Sequence, residues 1–289
     1  MYPYFEELAV SDDVRDVKVV GGNPDAFEMV LSSTAGLPGV RIDRDAFLRK
    51  SLGKYCDEDT LRRAIDESPV SAGIDKRLLS KLADDSINFE TIKVTAISAA
   101  AGIPGGLAMA GTVPADTAQY FGHILRIAQK LAYLYGWPSL FDENGEMDDA
   151  TKNMLILFVG LMFGVESAGK AVQKVAQVTA AAVVRRLPQQ ALTKGLVYPM
   201  VRKVAVYLGF NMTKSTFAKG VSKAIPVIGG VVSGGLTFAT FRPMANRLKR
   251  DLASLPTADP SFRPALRDVD DEIVIDAEDA GPEEPRKIE

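Results

Sequence analysis

Residues 101–116 read AGIPGGLAMAGTVPAD and lie in a long uncharged stretch of the chain. This stretch, residues 94–115, contains twenty-two residues, and eleven of them are Gly or Ala. Pro104 lacks a backbone N–H and cannot continue a helix that enters from Ala101, whereas Gly102 can adopt the positive φ that ends a helix. The sequence therefore predicts a helix, a tight break and a second helix, which together form a small-residue hairpin.

A second uncharged stretch, residues 224–241, has a similar composition and reads AIPVIGGVVSGGLTFATF. Small residues recur four positions apart in both stretches, and this spacing lets two helix backbones approach closely in lipid or in a dense protein core. We therefore predict two helical hairpins that are partners in the fold. Their structural residues are Gly102, Pro104, Gly105, Gly106, Pro226, Gly229, Gly230 and Gly234.

Four motifs occur in a fixed order along this part of the chain: GIPGGLA at 102–108, PAD at 114–116, a helix from RIA to LYGW at 126–137, and KAIPVIG at 223–229. Together they resemble the EcsC family over residues 75–250. That family is named from a protein encoded beside an ABC transporter linked to secretion, and it has no agreed catalytic residues. The resemblance implies a helical protein that is accessory to a transporter or secretion system.

Charge is distributed unevenly along the chain. Residues 1–166 hold 16 basic and 25 acidic residues, residues 167–250 hold 14 basic residues and no acidic one, and residues 251–289 hold 4 basic and 12 acidic residues. An acid-free segment of this length predicts an anionic partner, which can be lipid headgroups, nucleic acid or the chain's own acidic segments. The residues predicted to face that partner are Lys170, Lys174, Arg185, Arg186, Arg202, Lys203, Lys214, Lys219, Lys223 and Arg242.

Composition restricts the compartment and the size of the core. Hydrophobic residues make up 47% of the 289 residues, which is ample for one large domain or two small ones. Cys56 is the only cysteine, so no internal disulfide can form, as is usual in a reducing compartment. The start of the chain is acidic and lacks the basic and apolar regions of a secretory signal. We expect a cytoplasmic protein, which can also lie peripherally on the inner face of a membrane.

The pattern predicts an all-α, multi-helix bundle with four parts. Residues 1–40 form a variable, irregular N-terminal segment, and residues 41–74 form a short helical prelude. Residues 75–255 form the EcsC-like helical domain, built around the two hairpins. Residues 256–289 are rich in proline and acidic residues and poor in large apolar ones, which predicts a disordered tail.

Several helix boundaries follow from local signals. Asp43 is an N-cap candidate for the first of two short helices, the second short helix follows Asp57, and a longer helix begins near Asp75. Residues 116–135 form an amphipathic helix, and the uncharged run 153–165 is too short to cross a bilayer, so we expect a buried helix there. The polar face of the amphipathic helix carries Gln119, His123, Arg126 and Lys130.

One group of polar residues has the spacing of an acid–base site. Asp116, Tyr120 and His123 are separated by four and then three residues, so they share a helix face. Together with Lys223, Asp116 and His123 are candidate catalytic residues of a hydrolase. The favoured alternative is a buried polar network that fixes the hairpin to its neighbour, with Arg126 as a further member.

Two other kinds of site are disfavoured. Residues 164–170, GVESAGK, nearly match a phosphate-binding P-loop, but Ala171 stands where the motif needs a hydroxyl for magnesium. No acidic residue follows until Asp251, so a downstream carboxylate for the metal is missing, and we expect these glycines to serve helix packing. His123 is the only histidine, which excludes a multi-histidine metal site. We expect no metal and no cofactor.

The sequence is compatible with three functions. The first is a non-enzymatic, membrane-associated helical protein, and a soluble helical bundle with both hairpins buried is an alternative of almost equal weight. The second is the hydrolase, and the third is a polyanion or nucleic-acid binder, although no recognised module for specific nucleic acid is present. The tail, with 11 acidic and 4 basic residues, is predicted to compete with an external anion for the basic surface.

Overall fold

The computed structural model describes residues 24–101, 109–141, 146–182, 187–195, 197–211 and 229–262, and within these ranges every regular element is a helix. The predicted all-α class is therefore confirmed. The α-helices are α1 Pro24–Ala35, α2 Arg44–Leu52, α3 Glu58–Asp66, α4 Lys76–Ala101, α5 Met109–Leu134, α6 Asp149–Phe163, α7 Glu166–Ala182, α8 Gln189–Thr193, α9 Tyr198–Asn211 and α10 Gly229–Ala253.

Three long helices, α4, α5 and α10, pack along one another. An ion pair between Asp84 and Lys249 joins the first half of α4 to the last half of α10, with 2.7 Å between Oδ1 and Nζ. Tyr120 near the middle of α5 bonds to Thr240 on α10, at 3.1 Å between the two hydroxyl oxygens. Tyr135, just after α5, lines a groove together with the start of α4 and Lys249. Consequently α4 runs antiparallel to α5 and α10, and these two end where α4 begins.

The predicted hairpin turns lie outside the described residues. This holds for Gly102, Pro104, Gly105, Gly106 and Pro226, whereas Gly229, Gly230 and Gly234 form the first turns of α10. The amphipathic helix predicted from residue 116 extends further back, to Met109, because residues 109–115 are continuous with it in one helix.

Helix α6 is the centre of the second part of the core. Every residue from Asn153 to Met162 is buried, as the uncharged sequence predicts, because α6 packs on α5, α7, α9 and α10. Asp148 caps its first turn by accepting a 2.7 Å hydrogen bond from the N–H of Thr151. Gly164, with φ of 76°, ends it in the left-handed conformation that favours glycine.

The two short helices of the prelude begin where the sequence predicts, and an aspartate caps each of them. Asp43 accepts from the N–H of Ala46, and Asp57 accepts from the N–H of Thr60, each at 2.8 Å. Arg44, the first residue of α2, is buried, and its guanidinium donates to the main-chain carbonyls of Ile65, Glu67 and Trp137. This one side chain therefore joins α2, the end of α3 and the end of α5.

Both ends of the described chain differ from the prediction. Helix α1 was not predicted, and it buries Phe27 and Leu31 in the core. Residues 256–262, assigned to the disordered tail, begin with a 3-10 helix, Pro256–Ala258. A Cβ on Gly136, which has φ of 86°, would lie 2.3 Å from the carbonyl oxygen of Thr257, so the 3-10 helix packs directly on that glycine. Residues 1–23 and 263–289 lie outside the described residues.

Candidate functional site

A buried carboxylate on α4 contacts three basic side chains on α5. Glu90 is fully buried, and its oxygens lie 2.6 Å from Nδ1 of His123 and 3.2 Å from Nε of Arg126. Lys130 donates a hydrogen bond to the same carboxylate through Nζ. The three basic residues are three and four positions apart, so one face of α5 presents all of them to Glu90.

Glu90, His123, Arg126 and Lys130 form the Glu90 cluster, and its positive charges determine the protonation of the Glu90 carboxylate. Burial raises the pKa of Glu90, but the hydrogen bond from His123 and the charges of Lys130 and Arg126 outweigh burial, so the pKa lies well below its ordinary value. Because an ionised carboxylate only accepts, Nδ1 of His123 carries the proton of the hydrogen bond that joins them. Burial lowers the pKa of Lys130, and the Glu90 carboxylate opposes that shift.

Aromatic rings cover the ammonium of Lys130. Its Nζ lies 5.0 Å from the ring centre of Phe89 and 6.0 Å from that of Phe47. The negative faces of these rings offer a cation part of the stabilisation that it loses on leaving water. His123 and Lys130 are therefore buried and Arg126 is half-buried, although an amphipathic helix would expose them, because Glu90 and the two rings replace solvent.

The predicted acid–base residues do not form a described group. The hydroxyl of Tyr120 bonds to Thr240 on α10, whereas His123 bonds to Glu90 on α4. The side chain of Asp116 and all of Lys223 lie outside the described residues. The observed contacts have the form of the alternative prediction, a polar network that joins α5 to its neighbours, with Arg126 as a member.

Glu90 itself was not among the predicted site residues, although the sequence holds a signal for it. Leu79, Ala83, Ile87 and Val94 are buried on α4, and Glu90 falls on the same helical stripe, three residues after Ile87 and four before Val94. A single acidic residue on an otherwise apolar stripe indicates a buried partner of opposite charge.

Half of the residues predicted to face an anion are described. Lys170 pairs with Glu166 one turn earlier, at 3.1 Å, and Arg202 lies 3.5 Å from Glu28 on α1. The guanidinium of Arg242 lies 5.7 Å from the ring centre of Phe238. Lys174 and Lys203 are also described. The others lie outside the described residues: Arg185, Arg186, Lys214, Lys219 and Lys223.

The outer face of α9 combines cations with exposed aromatic and aliphatic side chains. Tyr198, Arg202 and Val206 form one row at four-residue spacing, and Lys203 and Tyr207 form the next row. Tyr207 is 43% exposed and Val206 is 37% exposed. The opposite side of α9 faces the core through Val201, Val204, Ala205 and Leu208.

The segment that nearly matches a P-loop forms a helix–helix turn. Gly164 ends α6, and Arg247 packs against it so closely that a Cβ on the glycine would lie 2.7 Å from Nη1 of the arginine. The same Nη1 donates to the carbonyl of Met162 at 3.0 Å. The turn therefore holds α10 against the end of α6, a packing role of the kind predicted for these glycines.

Two further properties bear on the kind of site. In the ranges that the structure covers, no three His, Cys, Asp or Glu side chains lie close enough to hold a metal ion. Among the same residues, no helix has both the length and the apolarity needed to cross a bilayer. No family model, curated protein or solved structure matches the chain.

Proposed function

We propose that the protein is a non-enzymatic helical protein that docks peripherally on an anionic membrane surface. The main support for this proposal is the outer face of α9, which carries two cations and three exposed aromatic or aliphatic side chains. These residues are Arg202, Lys203, Tyr198, Val206 and Tyr207. The acid-free segment 167–250, to which α9 belongs, supports the same partner through its charge. By its resemblance to the EcsC family, the protein would act beside a transporter or secretion system on the cytoplasmic face.

The physics of an interfacial helix fits this surface. Each Lys or Arg near an anionic leaflet contributes about 1 kcal/mol, and amphipathic rings and aliphatic side chains enter the boundary between headgroups and acyl chains. The ion pair between Arg202 and Glu28 is solvent-exposed on the arginine side, so headgroup phosphates can replace it at little cost. With two cations on α9, we expect reversible binding that depends on salt.

Co-sedimentation with vesicles tests the proposal. The full chain should bind vesicles that contain phosphatidylglycerol and should not bind vesicles of phosphatidylcholine alone. Replacing Arg202 and Lys203 by Gln should weaken binding about tenfold or more, since two cations near the surface are worth about 2 kcal/mol.

A matched control lies on the prelude helices. Arg62 is paired with an acidic neighbour, as Arg202 is, and Lys50 is exposed, as Lys203 is. The double variant Lys50→Gln and Arg62→Gln removes the same charge from another part of the surface and should bind as the unchanged protein does. Equal losses in both double variants, or no binding by the unchanged chain at low salt, would reject docking through α9.

The hydrolase has no comparable support. His123 is 4% exposed and its Nδ1 is engaged by Glu90. A general base must reach the proton that it abstracts, directly or through one water. The described contacts of His123 therefore favour a structural role.

A further inference from the structure

An exposed tyrosine in the turn between α2 and α3 lies beside two lysines. Tyr55 is 39% exposed, and its backbone N–H donates to the carbonyl of Leu52 at 2.8 Å, which fixes the turn. Lys81, on α4, donates from Nζ to the phenol oxygen of Tyr55 at 3.2 Å. Nζ of Lys54 lies 4.9 Å from the centre of the same ring. The turn and α4 therefore place two ammonium groups beside one accessible phenol.

The charges around this phenol favour its ionised form. Hydrogen bonding by Lys81, followed by that of Lys54, lowers the pKa of Tyr55 and outweighs the opposing effect of burial. Lys81 also pairs with Asp85 at 3.1 Å, so that one carboxylate stands against the two cations. The phenol oxygen is therefore in a locally positive environment.

The acidic residues that follow the turn are engaged by other groups. Asp57 accepts hydrogen bonds from the N–H and the hydroxyl of Thr60, at 2.8 and 3.3 Å, and so caps α3. Glu58 lies 3.5 Å from the guanidinium of Arg49 on α2. The charges that shift the pKa of Tyr55 are those of the two lysines, so these carboxylates do not cancel them.

Such an arrangement suits both steps of a phosphoryl transfer to tyrosine. A lowered pKa activates an oxygen nucleophile, because more of it is ionised at neutral pH. A phosphotyrosine carries almost two negative charges and three strong acceptor oxygens, and basic side chains stabilise it by charge-assisted hydrogen bonds. Lys54 and Lys81 are therefore placed to assist the reacting phenol and then to bind the phosphate formed on it.

We propose that Tyr55 is a modification site, at which the phenol oxygen accepts a phosphoryl group and Lys54 and Lys81 hold the resulting phosphate. The donor is a nucleoside triphosphate bound to a protein kinase. The phenol oxygen forms a bond to the γ-phosphorus, the bond from that phosphorus to the bridging oxygen breaks, and nucleoside diphosphate leaves. The phenol proton passes to the base of the kinase. The site lies on the prelude helices and does not depend on docking through α9.

A fluorophosphonate reagent tests the nucleophile in the full chain. The phenolate forms a P–O bond, the P–F bond breaks, fluoride leaves, and the phenol proton goes to solvent. Tyr198 and Tyr207, which are 37% and 43% exposed, are internal controls for accessibility. Tyr55 should react at least about threefold faster than either, as measured by peptide mass spectrometry, because a larger fraction of it is ionised.

Lysine variants separate activation from accessibility. Replacing Lys54 and Lys81 by Gln should abolish the advantage of Tyr55, whereas Lys81→Arg keeps a cationic donor and should retain it. The double variant Lys170→Gln and Lys194→Gln removes two cations from α7 and the end of α8 and should react as the unchanged protein does. Circular dichroism and urea unfolding establish that each variant is folded. Equal rates at the three tyrosines, or an advantage that survives without both lysines, overturns the proposal.

Phosphorylation of the full chain by a broad-specificity tyrosine kinase with ATP tests the product. Phosphate should accumulate at Tyr55 ahead of Tyr198 and Tyr207. The second pKa of phosphotyrosine is about 6, and phosphorus NMR should find it lower at Tyr55 and closer to about 6 when both lysines are replaced by Gln. No phosphate at Tyr55, or a second pKa that the lysine variant leaves unchanged, contradicts the proposal. Neither experiment uses a membrane, so a failure here is distinguishable from a failure of the α9 surface.

Discussion

Glu90 is the residue on which the packing of α4 against α5 depends electrostatically. Replacing Glu90 by Gln leaves Arg126 and Lys130 partly or fully buried without a counter-charge. Removing one partner of a buried ion pair costs about 3–5 kcal/mol, so we expect the free energy of unfolding in urea at pH 7 to fall by about that amount. The control Glu58→Gln removes an exposed carboxylate and should change stability by at most about 0.5 kcal/mol.

The pH dependence of the Glu90→Gln effect separates charge from packing. A carboxylate with a lowered pKa in the folded state contributes stability above its unfolded pKa, about 4.3, and loses that contribution as the pH falls toward the folded value. The difference in unfolding free energy between the unchanged protein and the variant should therefore narrow when the pH is lowered from 7 to below 4. A difference that stays constant over this range would indicate lost packing instead.

Only part of the Glu90 cluster could be predicted from the sequence. The polar row of His123, Arg126 and Lys130 is visible in the sequence, because the three residues share one helical face. Their shared partner lies 33 to 40 positions earlier in the chain. Helical periodicity relates residues within one helix, and only the pairing of α4 with α5 brings Glu90 to that row.

At the scale of helices, close approach depends on a glycine in α6. A Cβ on Gly160 would lie 2.5 Å from Cγ1 of Val204 on α9 and 2.8 Å from Cβ of Ala168 on α7. Both neighbours are buried, so neither can move away freely. Gly160→Ala should lower the free energy of unfolding by about 1–3 kcal/mol, measured by urea denaturation, as overpacked cores do.

Gly235 in α10 is the matched control for Gly160. It is helical and exposed, and a Cβ there would meet nothing within 4 Å. Gly235→Ala should stabilise the protein by about 0.5–1 kcal/mol, because alanine loses less backbone entropy than glycine on forming a helix. If Gly160→Ala does not lower the free energy of unfolding, α6 does not need a glycine at this position to pack against α7 and α9.

Helix boundaries were predictable where a capping residue or a change of charge marks them. Examples are the N-cap Asp43, the start of α3 after Asp57 and the uncharged run of α6. Helix α1 could not be predicted in this way, because its buried residues, Phe27 and Leu31, pack against helices that are distant in sequence: α5, α6 and α9. Docking of Pro256–Ala258 likewise depends on Gly136, about 120 positions away, and tail-like composition gives no indication of it.

The whole molecule combines an acid-free segment with an acidic C-terminal region. Residues 263–289 hold ten acidic and four basic residues, so a chain that ends at Phe262 has a formal net charge of +3 instead of −3. The cut follows the 3-10 helix and leaves its contact with Gly136 in place. Opposite charges joined by one chain compete with external anions at a high effective concentration.

Removing residues 263–289 should therefore tighten binding to phosphatidylglycerol vesicles, and the gain should shrink with added salt because the Debye length falls to about 10 Å at 0.1 M. A full-length variant with the ten acidic residues of this region replaced by Asn and Gln keeps the chain length and removes the charge. It should bind as tightly as the shortened chain if the competition is electrostatic. Tighter binding by the shortened chain alone would assign the effect to steric hindrance, and unchanged binding by both would show that the acidic region does not compete for the basic surface.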